Sequence, residues 1–162
     1  MFSTGEILDL AVRIEQNGEA VYRDAIVMLS NPELISLLNW MADEEAQHAK
    51  WFSGLKDQLE AHTANLFVEE MSRELFSELL GKKSFSHKEV DFSRVADVDE
   101  LIAIFIEFEK DTILFYEILE PFIEDDRTLA DLKKIIAEEN NHISRLQGII
   151  GSEIELSLNR GA

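Results

Sequence analysis

The sequence predicts an all-α fold, a four-helix bundle made of two antiparallel helical hairpins. Three observations carry this. Apolar residues recur at alternating steps of three and four along four long stretches. With 7 Gly and 2 Pro among 162 residues, the chain has material for few turns. The second half also repeats the first, because Glu15, Tyr22, Glu45 and His48 reappear 94 positions later as Glu109, Tyr116, Glu139 and His142. These are the only two Tyr in the chain. The helix-start signal Ser3-x-x-Glu6 reappears as Asp97-x-x-Glu100.

The first helix is expected from Ser3 or Thr4, with Ser3 and Glu6 as a capping box. Leu8, Ala11, Glu15, Gly18, Tyr22, Ala25 and Leu29 form its packed seam, and a Glu and a Tyr lie inside that seam. Asn31-Pro32 ends this helix and starts the next, with Asn31 as N-cap and Pro32 at the first helical position. So short a connection makes the two helices antiparallel neighbours. The second seam runs Leu34, Leu38, Met41, Glu45, His48, Phe52, Leu55, Leu59. Beyond it, Leu66 to Leu80 reads as a short extra amphipathic helix, and 81–95 is polar and irregular. The span from Ala61 to Ala96 therefore reads as a crossover between the repeats.

The third helix starts at Asp97 and carries Ile102, Phe105, Glu109, Thr112, Tyr116, Leu119 and Ile123, with Pro121 expected to kink or end it. Asp125 or Asp126 can cap the fourth, whose seam is Leu132, Ile135, Glu139, His142, Leu146 and Ile149. Gly148 and Gly151 mark its end. Two hairpins joined by one long crossover give the ferritin-like bundle topology. The domain is expected over 1–151, with 152–162 as a C-terminal tail of no clear reading.

Composition narrows the function. The formal net charge of −18 argues against nucleic acid or an anionic membrane as partner. No segment approaches the roughly 18 apolar residues of a membrane span. The N-terminus has neither a basic region nor an apolar signal core, so a cytoplasmic location is expected. The absence of Cys excludes disulfides, thiolate metal sites and a rubredoxin-type iron centre within this sequence.

Six ionisable residues fall on the core seams: Glu15, Glu45, His48, Glu109, Glu139 and His142. An unpaired core carboxylate costs roughly several kcal/mol even after relaxation. Four that converge also repel one another, and no Lys or Arg shares their level on the seams. Divalent cations are the natural compensation, and oxygen with imidazole donors suits iron, manganese or zinc better than calcium. The spacing supports this, since Glu at i and His at i+3 share one helix face. Each hairpin offers a Glu from one helix and Glu-x-x-His from the next, which is the ligand set of two-metal carboxylate bundles. The pseudo-symmetry suggests a two-metal site with the His at opposite flanks. A lone Glu-x-x-His is a weak signal; two copies, each with an upstream seam Glu, are not.

Within each "EE" pair the register favours Glu45 and Glu139, leaving Glu44 and Glu138 toward the helix flank or solvent. Tyr22 and Tyr116 lie two turns after Glu15 and Glu109 and are expected to donate to metal-bound carboxylates. Glu19, replaced by Ile113 in the second repeat, reads as solvated or as a neighbour of the site. Trp40 and Trp51 read as packing or interface residues, and His62 and His87 as solvent-exposed.

With these motifs the chain resembles the rubrerythrin-like branch of the ferritin-like superfamily. The likeness rests on "RIEQNGEAVY" (13–22), "DEEAQH" (43–48), "EFEKDTILFY" (107–116) and "AEENNH" (137–142). It implies a non-haem centre of two iron ions held by the six seam residues. It also implies redox chemistry with dioxygen or hydrogen peroxide, often in a homodimer or higher homo-oligomer. Two departures matter. Rubrerythrins proper carry a rubredoxin domain, whereas here electrons are expected from an external donor or from ferrous iron. Peroxidase rubrerythrins carry an extra Glu one turn after the third-helix ligand, where this sequence has Thr112. The expected activity is a ferroxidase or a peroxidase needing an outside donor. Non-catalytic iron or metal sequestration is the alternative, and a metal that only staples the bundle is a third reading.

Overall fold

The computed structural model describes residues 4–60 and 97–150. Ser3, the crossover with its short helix, His62, His87, Gly151 and the tail lie outside them. Among the described residues there are four long helices: α1 (Thr4–Ile26), α2 (Pro32–Glu60), α3 (Val98–Leu119) and α4 (Asp126–Ile150). A short 3-10 helix, Glu120–Phe122, follows α3.

The helix ends follow from local chemistry. After α1, Met28 and Leu29 donate to the carbonyls of Ala25 and Ile26 in a tight turn. Asn31 then caps α2, its Oδ1 accepting from the backbone N–H of Glu33 and Leu34 at 3.0 Å each. Asp97 caps α3 by accepting from Glu100 N–H at 2.8 Å. Asp125 caps α4, accepting from both the N–H and the hydroxyl of Thr128. Pro121 has no N–H to continue α3, and the chain tightens into the 3-10 turn there.

The seams read from sequence are the buried faces. All seven seam residues from Leu8 to Leu29 are buried, Leu29 just past the end of α1, as are the seam residues Leu34 to Leu55 on α2, Ile102 to Leu119 on α3 and Leu132 to Ile149 on α4. Ile123, past the end of α3, is half-buried. Two ion pairs fix the antiparallel register of the first hairpin: Lys56 Nζ lies 2.8 Å from Asp9, and Arg23 lies 2.8 Å from Asp43. Their repeat mates are Ile150, Ala103, Glu117 and Ala137, so the second hairpin cannot repeat these two pairs. In that hairpin α3 is buried around most of its circumference: Ile106, Phe108, Ile113 and Phe115 are covered as well as the seam. α2 and α4 pack directly on each other and bring the two Glu-x-x-His motifs face to face.

Replacing Asn31 with Ala removes the acceptor for two N–H groups at the start of α2. Chemical denaturation should show a loss of about 1 kcal/mol with unchanged helix content.

Candidate metal centre

The six predicted residues converge. Glu15, Glu45, Glu109, Glu139 and His142 are fully buried (0% exposed), and His48 is 4% exposed. Their donor atoms form two overlapping groups whose members lie within 4.8 Å of one another: Glu15, Glu45, His48 and Glu139, and Glu45, Glu109, Glu139 and His142. Glu45 and Glu139 belong to both groups, so they occupy the middle.

The imidazoles are not at opposite flanks. Their rings lie nearly parallel with centroids 6.5 Å apart, because both come from the facing helices α2 and α4. Glu139 sits between them, one oxygen 2.9 Å from His48 Nδ1 and the other 2.9 Å from His142 Nδ1. Glu15 approaches His48 Nδ1 at 3.4 Å; Glu45 and Glu109 each approach His142 Nδ1 at 3.4 Å.

The repeats brace each other. Tyr22 donates its hydroxyl proton to Glu109, and Tyr116 donates to Glu15, so each Tyr holds a carboxylate of the other repeat. Both Tyr are fully buried, with Tyr22 edge-on to Phe105 at 5.0 Å and Tyr116 against Phe52 at 4.8 Å.

Glu44 and Glu138 correct the reading from sequence. They do not point away to solvent. Glu138 Oε2 lies 3.0 Å from His48 Nε2, and Glu44 Oε2 lies 2.7 Å from His142 Nε2. Each is half-buried and again serves the other repeat's residue. With Nε2–H donating outward, a neutral imidazole turns its Nδ1 lone pair into the cluster, which is how carboxylates orient ligating His. The duplicated "EE" was the available signal for these two residues.

Glu19 pairs with Arg23 at 3.0 Å on the partly exposed face of α1 and is outside both donor groups. Trp40 lies edge-on to His142, with ring centroids 5.2 Å apart, and the Arg145 guanidinium covers it at 4.7 Å. Trp51 is half-buried, packed on Phe52 at 4.9 Å. Thr112 is buried, and its hydroxyl donates to Phe108 O within α3 at 3.0 Å.

Eight atoms in this cluster are buried without a hydrogen-bond partner: Glu15 Oε2, both oxygens of Glu45, Glu109 Oε2, both oxygens of Glu139, and Nδ1 of each His. Buried polar atoms are rarely left so, and here all of them are metal-donor types facing one another. Carboxylate oxygens and imidazole nitrogens fit iron, manganese or zinc, and two ions would satisfy the set.

The family model for rubrerythrin matches residues 6–150. The chain belongs to the rubrerythrin family. A crystal structure from Thermotoga maritima, provisionally described as a ferritin-like diiron-carboxylate protein, is similar to it with a TM-score of 0.65 and 25% sequence identity. The alignment covers 91% of this chain and 94% of that one. No curated protein sequence matches. The ferritin-like bundle expected from sequence is the observed fold, and the rubrerythrin-family cluster is a candidate carboxylate–histidine metal site. Among the described residues no helix is long and apolar enough to cross a membrane.

Without metal, the rubrerythrin cluster must neutralise itself with protons. Burial, then the charge of Glu139, pushes Glu109 up to about 8. Burial, then Glu139 and Glu15, raises Glu45 well above the carboxylate range. Burial opposes the charged form of both His, but the adjacent carboxylates prevail: Glu139 and Glu15 hold His48 up at about 11, and Glu109 and Glu139 hold His142 there. Burial also disfavours ionised Glu139, yet the two imidazoles outweigh it and draw Glu139 down to about 2.

The signs of these shifts fix the pH dependence. The Glu109 contribution to stability is complete below its ordinary 4.5 and lost as pH rises through about 8. The His contributions are complete below 6.5 and lost progressively toward about 11. Glu139 has the opposite sign and acts only as pH falls from 4.5 toward about 2. The metal-free protein should therefore melt at lower temperature as pH rises from about 6 to 9, while the stabilisation added by metal grows over the same range. Thermal melts with and without a divalent ion test both slopes, and calorimetry in buffers of different ionisation enthalpy should register proton release on metal uptake.

Removal of Glu45 and of Glu44 should differ in kind. Glu45→Ala deletes a residue shared by both donor groups and should lower bound metal per chain. Glu44→Ala leaves every donor in place and should weaken affinity by roughly 10–100-fold. Metal analysis after desalting, beside a competitive titration, separates the two.

Proposed function

We propose that the protein is a non-haem di-iron oxidoreductase that reduces dioxygen or hydrogen peroxide. The supporting observation is the set of eight partnerless donor atoms in two overlapping groups, in a member of the rubrerythrin family. The six residues Glu15, Glu45, His48, Glu109, Glu139 and His142 would hold two iron ions, with Glu45 and Glu139 shared. Bound iron would supply the electrons that reduce the oxidant.

The chain's own residues have three tasks. The first is orientation: Tyr22 and Tyr116 fix one oxygen of Glu109 and Glu15, leaving Oε2 of each to face the cluster. Glu138 and Glu44 fix the rings of His48 and His142 through Nε2. The second is exclusion of water, by the aromatic walls of Phe52, Phe105, Phe108 and Phe115 around the two Tyr. Such dryness strengthens every charge interaction inside. The third is proton management. The Tyr22 and Tyr116 hydroxyls stay protonated because burial and the nearby carboxylates raise them well above the ordinary phenol range. They can hold a hydrogen bond to Glu109 and Glu15 throughout.

This sequence has no Cys, so the reading takes its electrons from an external donor or from ferrous iron as substrate. Thr112, where peroxidase relatives carry Glu, favours ferrous iron and hence a ferroxidase. A homodimer or higher oligomer belongs to this reading through the family; half-buried Trp51 lends it no support.

Anaerobically reduced, iron-loaded protein should oxidise faster than free ferrous iron in the same buffer when mixed with dioxygen or peroxide in a stopped-flow spectrometer. It should turn over slowly until reductant or further ferrous iron is added. If neither oxidant accelerates oxidation while two ions remain bound, the protein sequesters metal rather than transforming a substrate.

A further inference from the structure

The two shared carboxylates are repeat mates, but the structure does not treat them alike. Glu139 lies 2.9 Å from both imidazole Nδ1 atoms. Glu45 approaches only His142 Nδ1, at 3.4 Å, and its carboxylate lies against α1 at Gly18. A Cβ placed on Gly18 would stand 2.7 Å from Glu45 Oε2, 3.2 Å from Glu45 Cδ and 3.0 Å from Phe108 Cε1. The first of these is closer than real Cβ atoms come, so Glu45 would have to move. Gly18 is in mid-helix, where glycine is less stable than alanine, and no unusual backbone angle requires it. Its repeat mate is Thr112, which has a Cβ and a hydroxyl satisfied within its own helix. The duplication therefore carries a notch on one side and a filled position on the other.

We infer that Gly18 is a positioning residue: its missing Cβ seats the Glu45 carboxylate against α1, in the place where both donor groups share it. This rests on the proposed metal-binding role of the cluster. Both donor groups contain Glu139 and Glu45, and of the two Glu139 has the closer imidazole contacts. Glu45 has a single longer approach to an imidazole, so the space at Gly18 decides where its carboxylate rests. Displacing Glu45 from that space would weaken both positions together.

The test is cobalt(II) binding, read by isothermal titration and by metal per chain after desalting, with circular dichroism as a fold control. The unaltered protein should bind two ions per chain. Gly18→Ala should weaken the binding of both ions by tenfold or more and leave less metal per chain after desalting. Glu45→Asp, one methylene shorter, should relieve the clash, so the double variant Gly18→Ala/Glu45→Asp should bind as Glu45→Asp alone does. That equality would support the inference even if Gly18→Ala by itself folded poorly. Thr112→Ala, which keeps the Cβ, should leave the binding of both ions in place. A folded Gly18→Ala protein that binds two ions with unchanged affinity would overturn the inference and leave the metal site standing. A double variant losing as much binding as Gly18→Ala, while Glu45→Asp keeps two ions, would overturn it too, because the conflict would not lie with Glu45. No binding by the unaltered protein would overturn the metal reading itself, and this inference with it.

Discussion

Everything in this bundle answers to one electrostatic constraint: four carboxylates held together out of water. A single buried charge without a partner is among the costliest features a core can carry. Here Glu15, Glu45, Glu109 and Glu139 are all fully buried, and two imidazoles share their space. Protons relieve part of the repulsion, as the raised Glu45, Glu109 and imidazole values show. They do so imperfectly, because eight donor atoms still lack hydrogen bonds. Cations relieve it better, since one ion attracts several oxygens at once. The scaffold is long, well-capped helices whose apolar seams hold the cluster on all sides. A site on loops would relax away from such a strain.

The bracing across the repeats follows from the same constraint. Tyr22 reaches Glu109, Tyr116 reaches Glu15, Glu138 reaches His48 and Glu44 reaches His142. Each of these contacts joins one hairpin to the other. A hairpin on its own would hold Glu15, Glu45 and His48 with none of their supports. The two halves need each other to orient the donors as well as to cover apolar surface. Orientation by outer hydrogen bonds is worth a great deal in metal sites, because a carboxylate or ring free to rotate spends little time in a binding geometry.

Much of this was legible in the sequence because helices leave periodic traces. Seam residues from Leu8 to Leu29 and from Leu34 to Leu55 were named from spacing, and all are buried. Asn31, Asp97 and Asp125 were recognisable as caps because capping depends on the local chain alone. The convergence of the six donors followed from the repeat. What escaped depends on how one hairpin rotates against the other, which no local pattern encodes. The side-by-side His rings are one case, since the facing of α2 and α4 decides them. Glu44 and Glu138 are another: one residue off the seam, they read as flank, yet a neighbouring helix supplies an imidazole there. Gly18 is the subtlest. Its place on the seam was visible, but the carboxylate filling the space of its missing Cβ was not.

A duplicated chain separates the residues that hold a site from those that differentiate it. Positions kept in both halves, the Glu, His and Tyr of the cluster and the paired "EE", are those that two-fold symmetry needs. Positions that differ are free to break it. Trp40 with Arg145 covers His142, while their mates are Lys134 and Trp51, so both indoles lie on α2 and both cations on α4 and the repeat is broken here. Lys134 turns instead toward Glu138, 3.7 Å away, and so adds positive charge behind the carboxylate that orients His48. Behind His142 the corresponding cation lies over an indole ring. The two imidazoles thus face different outer fields though their inner partners match in kind. Gly18 and Thr112 extend the same difference to the shared carboxylates. The two donor groups, alike in their own residues, are thereby surrounded by unlike neighbours, and unlike neighbours are how a duplicated pocket can come to treat its two halves differently.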